Sequence, residues 1–169
     1  KTTPWRLAAR HDHAVVTATV RIPIFDQHVA TVAVTADPVD AVGKADEWPL
    51  GLVPEREGDR YLGYDTETVA AIAETGVPDA VLVKADGARM REFKAPNDAE
   101  PQVPASTDTV LPIVSAHVVG KPLTAEHVHR VDRVAAITDL SPGEEIRPEH
   151  VAAVVTSPAG GLKDVPPDA

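Results

Sequence analysis

The chain has 169 residues, enough for one domain or two small ones, and carries a formal net charge of −10. That charge, with no basic run, argues against nucleic acid, since phosphate-backbone binding needs clustered Lys and Arg. The absence of cysteine removes disulfides, thiolate nucleophiles and Cys-ligated zinc, and sixteen prolines with ten glycines argue against long helices. Aromatic residues make up only 4% of the chain, so the core must be packed from Val, Ala, Leu and Ile. No apolar run approaches the ~20 residues of a membrane span, and no membrane partner is expected.

In chain order, residues 1–10 read as an N-terminal arm in which Trp5, beside Arg6, either plugs the core or reaches onto a neighbouring subunit. From Ala14 to Ile24 the alternation is clean, with Ala14, Val16, Ala18, Val20, Ile22 and Ile24 on one face and Thr17, Thr19 and Arg21 on the other. This predicts a long half-buried strand. Residues 30–36 repeat the pattern, and the two runs are expected to pair as an antiparallel hairpin. Residues 37–63 are loop-rich; Trp48, Tyr61 and Tyr64 fall in or just after them and either seal a sparse core or serve recognition.

Residues 65–75 give the best helix. Asp65 or Thr66 caps it, Val69, Ile72 and Ala73 share a face, and Gly76 stops it. Val81-Leu82-Val83 predicts a strand, and Asp86-Gly87 a hairpin turn returning through Met90 to Phe93. Residues 94–108 are polar and Pro-rich and read as a linker or arm between an N-terminal β lobe (1–93) and a C-terminal lobe (109–169). Residues 109–119 predict an edge strand interrupted by Pro112, and residues 123–130 a short helix.

The stretch 133–162 has the most content. Val134 to Ile137 is a short apolar run expected as a buried strand, and Ser141-Pro142-Gly143 is turn chemistry. Pro148 suits a first helical turn followed by Val151, Val154 and Val155 facing inward. The set Asp139-Leu140, Gly143-Glu144, Ile146, Glu149, Val151, Pro158 and Gly161-Leu162 resembles the SAF, or antifreeze-like, domain. The resemblance implies a small β-clip fold that binds or positions a ligand, with Arg133, Glu144 and Gly161 as pocket candidates. Val134–Glu145 and Val81–Gly87 also resemble phage head-decoration proteins, which implies docking onto a capsid.

The seven histidines include two His-x-His pairs, His11/His13 and His127/His129, which could join a metal site if they lay on strands. No Gly-x-Ser-x-Gly elbow, phosphate loop or dinucleotide fingerprint appears in these residues. The expected architecture is therefore mainly β, with one or two short helices and a β-clip-like C-terminal lobe. The expected role is non-catalytic: a structural protein, homo-oligomeric, with no cofactor and no metal. It would dock onto a larger assembly, in a virion onto a major capsid protein. Trp5, Arg6, Trp48, Tyr61 and Tyr64 are its interface candidates. A SAF-type ligand module accessory to sugar-acid chemistry is the alternative, and a small metal-dependent enzyme a third reading.

Overall fold

A computed structural model describes residues 3–169; Lys1 and Thr2 of the expected arm lie outside the described residues. The chain divides into two compact units, Lys1–Ala85 with Gln102–Ser106, and Asp86–Pro101 with Thr107–Ala169. Residues 94–108 are shared between them.

The first unit contains helix α1 (Thr3–Ala8) and strands β1 (Ala14–Ala18), β2 (Ile22–Pro23) and β3 (Thr31–Val34). Helix α2 (Pro38–Gly43), strands β4 (Leu50–Val53), β5 (Arg56–Glu57) and β6 (Arg60–Tyr61), helix α3 (Thr66–Glu74) and strand β7 (Ala80–Lys84) complete it. Its main sheet has the order β3-β4-β1-β7, and every pairing is parallel. The expected mainly β architecture is thus corrected: the protein is mixed α/β, 26% helical and 18% strand. The expected 14–24/30–36 hairpin is corrected too, because β4 lies between β1 and β3 and the helical crossovers α2 and α3 return the chain in the same direction.

All five residues of β1 are buried, as a central strand covered on both faces requires. Ala14, Val16 and Ala18 join Trp5 and Ala8 of α1, Phe25 and Tyr61 in one cluster. On the other face Val15 packs with Val42 of α2, Val69 and Ile72 of α3, and Tyr64. The β1 alternation runs out at Thr19, and Ile22–Pro23 pairs instead with β6 in a small antiparallel sheet. Thr17 and Thr19 are buried rather than wet, and each hydroxyl is satisfied by a carbonyl, of Leu52 at 2.8 Å and of Gln102 at 2.7 Å.

Local chemistry explains the helices. The Asp65 carboxylate accepts from the Thr68 N–H at 2.7 Å and caps α3. Asp37 caps α2 in the same way, accepting from the Asp40 N–H, and Pro38 occupies the first turn.

The second unit contains β8 (Phe93–Lys94), β9 (Val128–His129), α4 (Val131–Thr138) and α5 (Pro148–Val155). Phe93, Val118, Leu123, Val128, Val134, Ile146 and Val154 form its core. No β-clip is present: Val134–Ile137, expected as a strand, is the middle of α4. A four-residue apolar run fits either element, and here Val134 faces the core while Arg130 and Asp139, both in the left-handed region, bound the helix. Residues 109–115 form no strand, and 123–130 supply β9 rather than a helix. The expected 81–93 hairpin is replaced by a parallel pairing of β8 with β9. α5 starts at Pro148 as its sequence predicts, and the His150 Nδ1 accepts from the Arg147 N–H at 3.1 Å.

Candidate anion-binding site

The main polar feature of the second unit is built from two segments remote in sequence. In residues 86–91, Gly87 donates its N–H to the Asp86 carboxylate at 2.6 Å, and Arg91 donates its N–H to the Ala88 carbonyl at 2.8 Å. Between them Arg89 (φ 47°) and Met90 (φ 67°) are both left-handed. For a non-glycine residue that conformation costs about 1–2 kcal/mol, so two in succession mark a turn held by its surroundings. The second segment is β9, whose pairing with β8 sets His129 opposite Lys94. Arg130 follows with φ 66°, which swings the chain from β9 into α4; no side chain caps that helix start.

The same strands carry a charge network. Lys94 donates to the carboxylates of Asp86 at 2.5 Å and Glu100 at 2.7 Å, and also to the Gly87 carbonyl. Arg130 donates to the same Glu100 oxygen at 2.9 Å. Lys94 and Arg130 are only 11% and 16% exposed, so both charges depend on these partners. Burial by itself would raise the Glu100 pKa, but the hydrogen bonds and charges of Arg130 and Lys94 outweigh it and bring it down to about 2.

A cavity of about 390 Å³ shares Arg130 with this network. Arg89, Arg91, His129 and Arg130 supply its polar lining; Ala125, Val128 and Val131 supply the apolar part. The Arg91 Nε donates to the Ala125 carbonyl at 2.7 Å, which fixes that side chain at the rim. Among the described residues no carboxylate pairs with Arg89 or Arg91. The His129 imidazole is held below its usual pKa, first by burial and then by the charges of Arg130, Lys94 and Arg89.

The residues singled out from sequence lie elsewhere. Trp5 stacks on Phe25 (centroids 5.3 Å apart) and His28 (4.8 Å), and Tyr61, buried against Phe25, donates its hydroxyl to Asp26 at 2.8 Å. Trp48 and Tyr64 pack on the opposite face of the sheet, where Tyr64 donates to the Thr35 carbonyl at 2.7 Å. The five interface candidates therefore form no single patch; Arg6 is exposed on α1. Burial raises both tyrosine pKa values, that of Tyr61 with help from the Asp26 carboxylate.

Arg133 lines a smaller cavity of about 210 Å³ with Pro96, Ala136, Ile137 and Ala159, and is tied to Asp98 at 3.0 Å. Glu144 and Gly161 line neither cavity. The Glu144 carboxylate accepts from the Ser141 N–H, and Gly161 packs against the end of α5, where a Cβ would collide with the Val155 carbonyl. His13 sits against Trp48, and His11 is 3.7 Å from Asp79. His127 faces Glu92 at 3.4 Å. Among the described residues no three His, Asp or Glu side chains converge as metal ligands.

Sequence reasoning missed Arg89, Arg91, Lys94, Glu100 and Arg130. The available signal was Arg-x-Arg at 89–91 and the adjacent His129-Arg130, two small cationic groupings in an acidic chain.

No solved structure matches the chain. The uncharacterized protein YqeC of Escherichia coli (strain K12) is 34% identical over 107 residues, which covers 63% of this chain and 42% of that protein. The chain thus spans about two fifths of the length of that curated relative. The parallel sheet of the first unit and the helices of the second correct the expected β-clip architecture. Residues 1–132 match the family described as YqeC protein, a span that contains the whole lining of the larger cavity, and the chain belongs to that family.

Proposed function

We propose that the second unit binds a small anionic ligand in the cavity between residues 89–91 and 128–131. One observation carries the reading. In a chain of net charge −10, three arginines and a histidine line a single cavity, and two of the arginines have no carboxylate partner among the described residues. Side-chain cations left unneutralised at a concave surface attract and orient anions, and guanidinium groups suit phosphate and carboxylate oxygens through paired N–H donors. The uncapped start of α4 adds favourable partial charge at the same place.

Calorimetric titration with inorganic phosphate tests this. Binding should weaken about tenfold or more in Arg89→Ala/Arg91→Ala, since each charge-assisted hydrogen bond contributes roughly 1.5–3 kcal/mol. It should also weaken steeply with added salt. Equal phosphate affinity in the wild type and the double variant would exclude the site. Both side chains are exposed, so the variants should retain the wild-type circular dichroism spectrum and melting curve.

A specific observation favours a second reading, the docking onto a protein partner expected from the sequence. Leu111 and Ile113 are 57% and 70% exposed on either side of Pro112. Singly exposed apolar residues are ordinary, but a contiguous apolar stretch of irregular chain marks an interaction surface. Light scattering on wild type and Leu111→Ser/Ile113→Ser should show a lower native mass for the variant. Two identical monomeric profiles would count against self-association through this stretch.

A further inference from the structure

We propose that the cavity selects a dianionic phosphate monoester with an organic body over a monoanion of the same shape. The inference rests on the anion-binding reading above and names the class of ligand.

Charge is the first argument. The cations of the cavity lining are Arg89, Arg91 and Arg130, with Lys94 joined to Arg130 through Glu100; the carboxylates paired with them are Asp86 and Glu100. Among the groups that line the cavity or pair with its lining, the excess is two positive charges while His129 is neutral; Glu92, Glu126 and Asp132 adjoin lining residues in sequence but are not part of the lining. Burial and the cations on β8, on the 86–91 turn and at the start of α4 favour the neutral imidazole, against one opposing carboxylate, Glu100. A carboxylate or sulfate ester would leave one of these two positive charges unmatched. A phosphate monoester carries close to two negative charges at neutral pH and presents three acceptor oxygens.

Geometry is the second argument. Arg130 is already engaged by Glu100, so the phosphoryl oxygens fall to Arg89 and to the terminal N–H groups of Arg91, whose Nε is held by the Ala125 carbonyl. A 390 Å³ cavity exceeds what a phosphate group fills, and the remainder of its accessible lining is Ala125 and Val131, over the buried Val128. Those side chains offer nothing to an ion and suit an apolar body attached to it.

Phenyl phosphate and phenyl sulfate differ little in shape and by one charge, which makes them the probes. At about pH 8, above the second phosphate pKa of roughly 6, the first is a dianion. Titrated into the full chain, phenyl phosphate should bind at least about tenfold more tightly than phenyl sulfate. It should also bind more tightly than inorganic phosphate, because the ring covers Ala125 and Val131. Arg89→Lys should keep the preference for phosphate over sulfate, and Arg89→Ala should reduce it. Equal binding of both probes, with both lost in Arg89→Ala/Arg91→Ala, would overturn the dianion inference and leave the anion site standing. No binding of either probe or of inorganic phosphate would overturn both.

Discussion

Replacing Glu100 with Gln should lower the stability of the second unit by about 2–3 kcal/mol near neutral pH and flatten its acid unfolding curve. The Glu100 carboxylate is shared by Lys94 and Arg130, whose alternative partners are unequal. Lys94 retains Asp86, whereas among the described residues Arg130 retains only the Ala95 carbonyl at 3.4 Å. A neutral amide leaves the Arg130 charge largely uncompensated at a position 16% exposed. The pH dependence follows from the direction of the shift. The folded pKa of Glu100, about 2, lies below the unfolded value near 4.3. Its contribution is therefore complete above about pH 5 and is lost as the pH falls toward 2. The magnitude is set below the full linkage value because the carboxylate is 26% exposed and partly screened. Urea unfolding of wild type and Glu100→Gln at several pH values from 7 to 2.5 checks this. The difference between the two proteins should shrink as the pH falls, and a constant difference would show that the network does not titrate through Glu100.

The second large effect is expected in the first unit. Phe25→Ala should destabilise it by about 3–5 kcal/mol, the usual range for removing a buried aromatic ring. Phe25 is fully buried, stacks on Trp5 and meets Tyr61 edge-on at 5.4 Å. It also lies directly over Gly51 of β4. A Cβ built on Gly51 would fall 2.7 Å from the Phe25 ring and 3.0 Å from Val32. Gly51→Ala alone should therefore cost about 1–3 kcal/mol through overpacking. In the Phe25→Ala background the same methyl enters vacated space, and its cost should fall by at least 1 kcal/mol. Denaturant midpoints for the four proteins close the cycle. Additive effects would mean that the ring and the strand do not compete for the same volume.

These two regions differ in how legible they were from sequence. Asp65 before a periodic run announced α3, and Pro148 announced α5, because caps and helix starts are written in a few adjacent residues. The sheet was not legible in the same way. β1 pairs with residues 50–51 and 80–84, and nothing local to Ala14–Ala18 records those partners. Thr17 and Thr19 pointed to a wet face, since their hydroxyls are satisfied only by carbonyls brought in from Leu52 and Gln102. The same limit hid the candidate site. Arg89 and Arg130 stand in two small cationic groupings along the chain, but these and Lys94 acquire meaning only when β8 and β9 align side by side. Glu100, inside a stretch that reads as linker, was invisible for that reason.

The division of the chain also bears on the order in which it is made. The first unit is not complete at Ala85: the Gln102 N–H donates to the Ala85 carbonyl, and the Gln102 carbonyl receives the Thr19 hydroxyl. Residues 86–101, which belong to the second unit, must therefore leave the ribosome before the first unit can finish closing. Those sixteen residues hold Lys94 and Glu100, whose partner Arg130 is synthesised later still. A nascent chain that has emerged only as far as Ala85 should remain protease-sensitive, and one that has emerged past Ser106 should gain protection in its first unit while the second is still unformed.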